Sequence, residues 1–149
     1  MAMKKNHVWL YSIVLFCGIL LTSCFNSSRL ANRYQVEGIA NQVWIYSLSH
    51  PDGFTIDLST MTVPTEGIVV AYEATQGCHS REKLNYVVSH AMSHNRVVGG
   101  WLDTSDSLYY FDSSRIFPED SLEAAKKFGI ENGQIAIFLI SEGKEIRLK

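Results

Sequence analysis

Apolar residues in this chain come mostly in short runs separated by turn formers, and a full helical stripe appears once. That pattern restricts the fold to a small sheet with few helices. Val43-Trp44-Ile45-Tyr46 is β-branched and aromatic and reads as a first strand, and Pro51-Asp52-Gly53 is a turn signal. Phe54-Thr55-Ile56-Asp57-Leu58 alternates apolar and polar as a half-buried strand does. After the break at Val63-Pro64-Thr65-Glu66-Gly67, the run Ile68-Val69-Val70-Ala71-Tyr72 predicts a central strand.

Ser80 as N-cap with Glu82 in the first turn opens the best-defined helix. Its Leu84, Val87, Val88, Ala91 and Met92 recur at i, i+3, i+4, i+7 and i+8. Val97–Leu102 and Leu108–Phe111 then predict a hairpin across Asp103-Thr104-Ser105-Asp106-Ser107. A second helix is signalled by Asp120 as cap and Glu123 three residues on, with Gly129 as its left-handed terminus. Ile135–Ile140 and Ile146–Leu148 close the chain as strands. The order β-β-β-α-β-β-α-β-β, with mostly short connections, predicts an α+β fold. Its expected form is a small antiparallel or mixed β-sheet with two helices packed on one face.

The N-terminus reads differently. Lys4 and Lys5 precede an apolar stretch from Val8 to Leu21. At about 14 residues it would span roughly 21 Å as a helix, short of a hydrocarbon core of about 30 Å. A signal peptide fits better than a transmembrane helix. Leu21-Thr22-Ser23-Cys24 follows directly, and it resembles the lipobox of bacterial lipoproteins. The resemblance implies cleavage before Cys24, lipidation (palmitate) of that cysteine, and a membrane-anchored life in the cell envelope. By similarity to Gram-negative lipoproteins, Phe25 after the cysteine favours the outer membrane, facing the periplasm. The implied organisation is a signal peptide over 1–23, an anchor and tether over 24–42, and a single α+β domain over 43–149. Arg29 to Gln42 shows a weak period (Leu30, Tyr34, Ile39), suited to a short helix or to coil.

Removing residues 1–23 leaves 126 of the 149 residues, enough for one core. Lys4 and Lys5 leave with the leader, so the formal charge moves from −2 to −4. An acidic domain without a basic cluster argues against nucleic acid; the membrane is reached through lipid rather than charge. Cys17 belongs to the leader and Cys24 to the anchor, so Cys78 has no intramolecular disulfide partner. Stability must then come from apolar burial.

Five features could carry chemistry. His90 and His94 lie four apart on the long helix, a spacing that can share a metal. No third ligand is fixed and the H-E-x-x-H signature is absent, so two partly exposed histidines, and no metal or cofactor, are expected. Cys78-His79 suggests a thiol nucleophile, favoured as thiolate just before a helix, but no protease signature surrounds it. Asp103, Asp106 and Asp112 cluster without a calcium-loop pattern. Gln134 enters an apolar strand as a polar residue.

The most distinctive stretch is Gly99-Gly100-Trp101 with Tyr110 and Asp112, a candidate binding surface. The preferred structural reading is that Trp101 fills the core and the glycines make room for it. From Gly53-Phe54-Thr55 through Gln134–Phe138 the chain is faintly similar to small uncharacterised domains in bacterial and phage-encoded proteins. That similarity covers about 100 residues and implies a portable module without a mechanism.

Two functions follow. One is a lipid-anchored, non-enzymatic binding module for a protein or peptide, an immunity- or inhibitor-like role included. The other is a small envelope hydrolase using His79, His90 or His94 with Glu73 or Asp112, with or without a metal.

Overall fold

The computed structural model describes Leu30 and residues 32–148. The leader, the lipobox and Cys24 lie outside the described residues. The chain divides into two compact units after Gln35, and the fold below is that of the unit from Val36 onward.

Six strands form one antiparallel sheet: β1 (Phe54–Asp57), β2 (Ile68–Ala71), β3 (Val97–Asp103), β4 (Leu108–Phe117), β5 (Ala136–Leu139) and β6 (Lys144–Arg147). Their order across the sheet is β1-β3-β4-β2-β5-β6. The helices of this unit are α1 (residues 36–48), α2 (Arg81–Ser93) and α3 (Leu122–Glu131). The α+β class holds, and the sheet is antiparallel rather than mixed.

Register decides which side chains meet the helices. Ile56 pairs with Val98, Gly100 with Phe111, and Ile68 with Phe117. These residues share a face because alternate positions of a strand point the same way. Val36, Ala40 and Val43 of α1 and Leu84, Val87, Val88 and Ala91 of α2 pack on Ile56, Val98 and Phe111. Ala125 of α3, with Leu122 and Phe128 beside it, packs in a second cluster on Ile68, Val70, Phe117 and Ile137. Three helices thus serve one face, through two separate apolar clusters. The outer edge strand β6 carries Lys144, Glu145 and Arg147, charges that discourage edge-to-edge pairing.

Several local expectations need correction. Val43-Trp44-Ile45-Tyr46 is helical, the C-terminal part of α1. Val36, Ala40, Val43 and Ser47 are its buried positions, and their 4-3-4 spacing is one helix face. Burial of that face outweighs the modest strand preference of Val, Ile and Trp. β4 continues to Phe117, well past Phe111.

α3 is preceded by a short 3-10 turn, Glu119–Ser121, and no side chain caps it; Glu119 instead accepts a hydrogen bond from the Gly67 amide at 3.2 Å. Gly129 does not end the helix. It is buried within α3, where an added Cβ would lie 2.6 Å from Leu148 Cδ1 and 3.1 Å from Ile137 Cγ2. Its role is close helix–sheet approach, and Gly133, at φ 65°, takes the left-handed position. Ser80 caps α2 as anticipated, accepting from the Lys83 amide at 3.2 Å. Among the described residues no helix is long and apolar enough to cross a membrane.

Candidate functional site on the open sheet face

Trp101 and Tyr110 are directly paired across β3 and β4, and Gly99 is paired with Asp112. All four positions alternate with the core residues Val98, Gly100 and Phe111, so they occupy the face turned away from the helices. Trp101 is therefore not a core residue; it is 45% exposed. Its ring stacks on Tyr110 with centroids 5.2 Å apart and planes inclined by 22°. The Tyr110 hydroxyl donates to Asp106 Oδ2 at 2.7 Å, and His79 meets the ring edge-on at 5.5 Å. Tyr110 is thus held on three sides before any ligand arrives. Its phenol is pushed above its usual range, first by the bond to Asp106.

Asp112 stands behind this pair. The Trp101 indole N–H donates to its Oδ2 at 3.4 Å. Burial lifts the carboxyl from 3.8 to about 6, and the indole bond offsets only part of that. Gly99, directly opposite, puts no side chain over it, and a Cβ there would make only ordinary contacts at 3.7 Å.

Gly100 belongs to the other face and a different problem. A Cβ on it would lie 2.6 Å from Phe54 Cε1 and 2.9 Å from Tyr109 Cε1. Its absence lets Phe54 and Tyr109 lie across the strand with centroids 6.3 Å apart. Tyr109 donates to the His50 carbonyl at 2.8 Å, and burial, with Asp52 second, pushes its phenol up to about 12. The two glycines do make room, for Phe54 and Tyr109 rather than for Trp101.

The remaining sequence candidates separate. His90 and His94 come together, stacked at 3.9 Å. The His94 Nδ1–H donates to the His90 carbonyl at 2.7 Å, and His90 Nδ1 meets the Ser113 hydroxyl at 3.0 Å. Burial, then His94, holds the His90 imidazole below its usual range. No group of three metal-ligating side chains occurs among the described residues. Cys78 is buried, and burial pushes its thiol up, opposite to the thiolate expected beside a helix start.

Asp103 accepts from the Ser105 amide and hydroxyl, and Asp106 from the Leu108 amide, so both organise the turn. None of His79, His90 and His94 is hydrogen-bonded to Glu73 or Asp112. Gln134 donates to the Asn132 carbonyl at 3.0 Å, completing the turn after α3.

The chain matches no family model, no curated protein and no solved structure. The function must be argued from these residues alone.

Proposed function

We propose that this chain is a lipid-anchored binding module of the cell envelope that engages a protein or peptide partner without catalysis. The observation carrying this reading is the exposed Trp101–Tyr110 stack on the helix-free sheet face, with Asp112 behind it. Tryptophan and tyrosine supply large contact area for little lost rotamer freedom, and interface hot spots are enriched in them. Tyr110 is already fixed by Asp106 and His79, which lowers the entropic cost of docking. The address rests on Leu21-Thr22-Ser23-Cys24 after its basic and apolar leader. Cys24 carries the lipid, and the outer membrane facing the periplasm is the site where the domain works.

Three versions of the full chain, expressed in a Gram-negative envelope and solubilised in mild detergent, test this. The wild type should incorporate labelled palmitate, fractionate with membranes and retain a specific envelope protein. Cys24→Ala should lose the label and the membrane association. Trp101→Ala should keep both but hold the partner about tenfold or more less tightly, as for a central hot spot. Unchanged labelling in Cys24→Ala would overturn the anchor. Undiminished retention by Trp101→Ala would overturn the binding face.

A further inference from the structure

On the helix-covered face, the two apolar clusters do not merge. Between Ser113, beside the first, and Phe117, in the second, β4 places Arg115. An arginine at a position that alternates with Phe111, Ser113 and Phe117 faces the helices rather than the open side. Its guanidinium carbon lies 4.3 Å from the Phe117 ring centroid and 5.5 Å from that of Phe128. Those contacts hold the guanidinium beside the two rings by cation–π attraction. Among the described residues no carboxylate pairs with it and no acceptor takes its N–H groups.

The walls of this seam are aromatic. Tyr72, just beyond β2, meets Phe128 of α3 edge-on at 5.2 Å. It also lies 5.1 Å from each of the stacked imidazoles of His90, on α2, and His94, just past its end. The Tyr72 hydroxyl donates to Asn95 Oδ1. With both imidazoles engaged through Nδ1, their Nε2 atoms remain for another partner.

We propose that the seam between α2 and α3 is a binding site for a small oxyanion, a carboxylate or a phosphate group, held by Arg115. A planar guanidinium beside the Phe117 and Phe128 rings offers two parallel N–H donors to two oxygens of one group. His90, with its Nδ1 accepting from the Ser113 hydroxyl, adds an Nε2–H donor on the α2 side, and Tyr72 and Phe128 supply flat surface for the body of the ligand. This site lies on the face opposite Trp101 and Tyr110 and is independent of the partner-binding role.

The test is an NMR titration of the full chain in detergent micelles, following the Arg115 side-chain N–H and the His90 and His94 imidazole signals. Sodium benzoate and sodium phosphate are the two probes, each against sodium chloride at equal ionic strength. Saturable shifts with benzoate assign a carboxylate ligand, and saturable shifts with phosphate assign a phosphate; either supports the site. Arg115→Gln should abolish them, and Arg115→Lys, which keeps the charge without the fork, should weaken binding about tenfold. If Arg115→Gln does not fold, Arg115→Lys decides. No saturation with either probe, shifts equal to those with chloride, or affinity unchanged in Arg115→Lys would overturn the proposal.

Discussion

Phe111→Ala is expected to destabilise the protein by about 3–5 kcal/mol, the range for removing a fully buried aromatic side chain. Phe111 is completely buried, with Trp44 of α1 at 6.0 Å and Tyr109 at 5.3 Å between ring centroids. It packs in the cluster that joins α1, α2 and the sheet, so its loss opens a cavity that no single neighbour can fill. Total stabilities of about 5–15 kcal/mol make this a large fraction of the whole. Trp101→Ala, ten residues earlier but on the other face, should cost about 1 kcal/mol or less, the value of a cross-strand pair. Urea denaturation of the two variants measures both. Equal losses would mean that the faces have been assigned wrongly.

Asp112→Asn should stabilise the protein at pH 7 by about 2–3 kcal/mol, since a shift of one pKa unit is worth about 1.4 kcal/mol. The Asp112 carboxyl is raised from 3.8 to about 6 by burial. Its ionised form is therefore more costly in the folded state than in the unfolded chain. The penalty is absent below about pH 4, grows between pH 4 and 6, and is complete above 6. Asparagine keeps the shape and an acceptor for the Trp101 indole without the charge. The gain should thus appear as a rise in Tm of roughly 10 °C at pH 7 and vanish at pH 4. A gain of the same size at both pH values would contradict burial as the cause.

A buried carboxylate beside an exposed tryptophan suits a binding face rather than a structural one. Structural ion pairs stabilise both members, whereas Asp112 takes a hydrogen bond from a neutral indole N–H. Sites kept for function are where such losses are tolerated.

Much of this fold was legible because its elements are locally consistent. The α2 stripe from Leu84 to Met92, its Ser80 cap and the hairpin around 103–107 stand in the structure where period and turn chemistry put them. α1 is hidden in the sequence for a physical reason. Val43–Tyr46 carries strand-preferring residues, and its helical period shows only when joined to Val36, Ile39 and Ala40 across the polar pair Asn41-Gln42.

The C-terminal half of β4 is not legible in the sequence because Ser113, Ser114 and Arg115 do not look like a buried strand. Ser113 is nevertheless fully buried, satisfied by Thr75 Oγ1 through its amide and by His90 through its hydroxyl. Polar residues with such partners enter a core without an apolar signature.

Of the candidate surface, Trp101, Tyr110 and Asp112 could be named from sequence, but their sidedness could not. Gly100 between exposed and core positions suggested space for Trp101, and only the register with Phe111 shows that the space belongs to Phe54 and Tyr109. Arg115 carried no sequence signal beyond its alternation with Phe111, Ser113 and Phe117.

The most direct test of the binding role is photo-crosslinking in living cells. A photoreactive amino acid is placed in the full chain at position 101, at 110, or at 45 on the exposed side of α1. Positions 101 and 110 should give one discrete protein adduct, and position 45 none. No adduct from 101 and 110, or the same adducts from all three positions, would contradict that role.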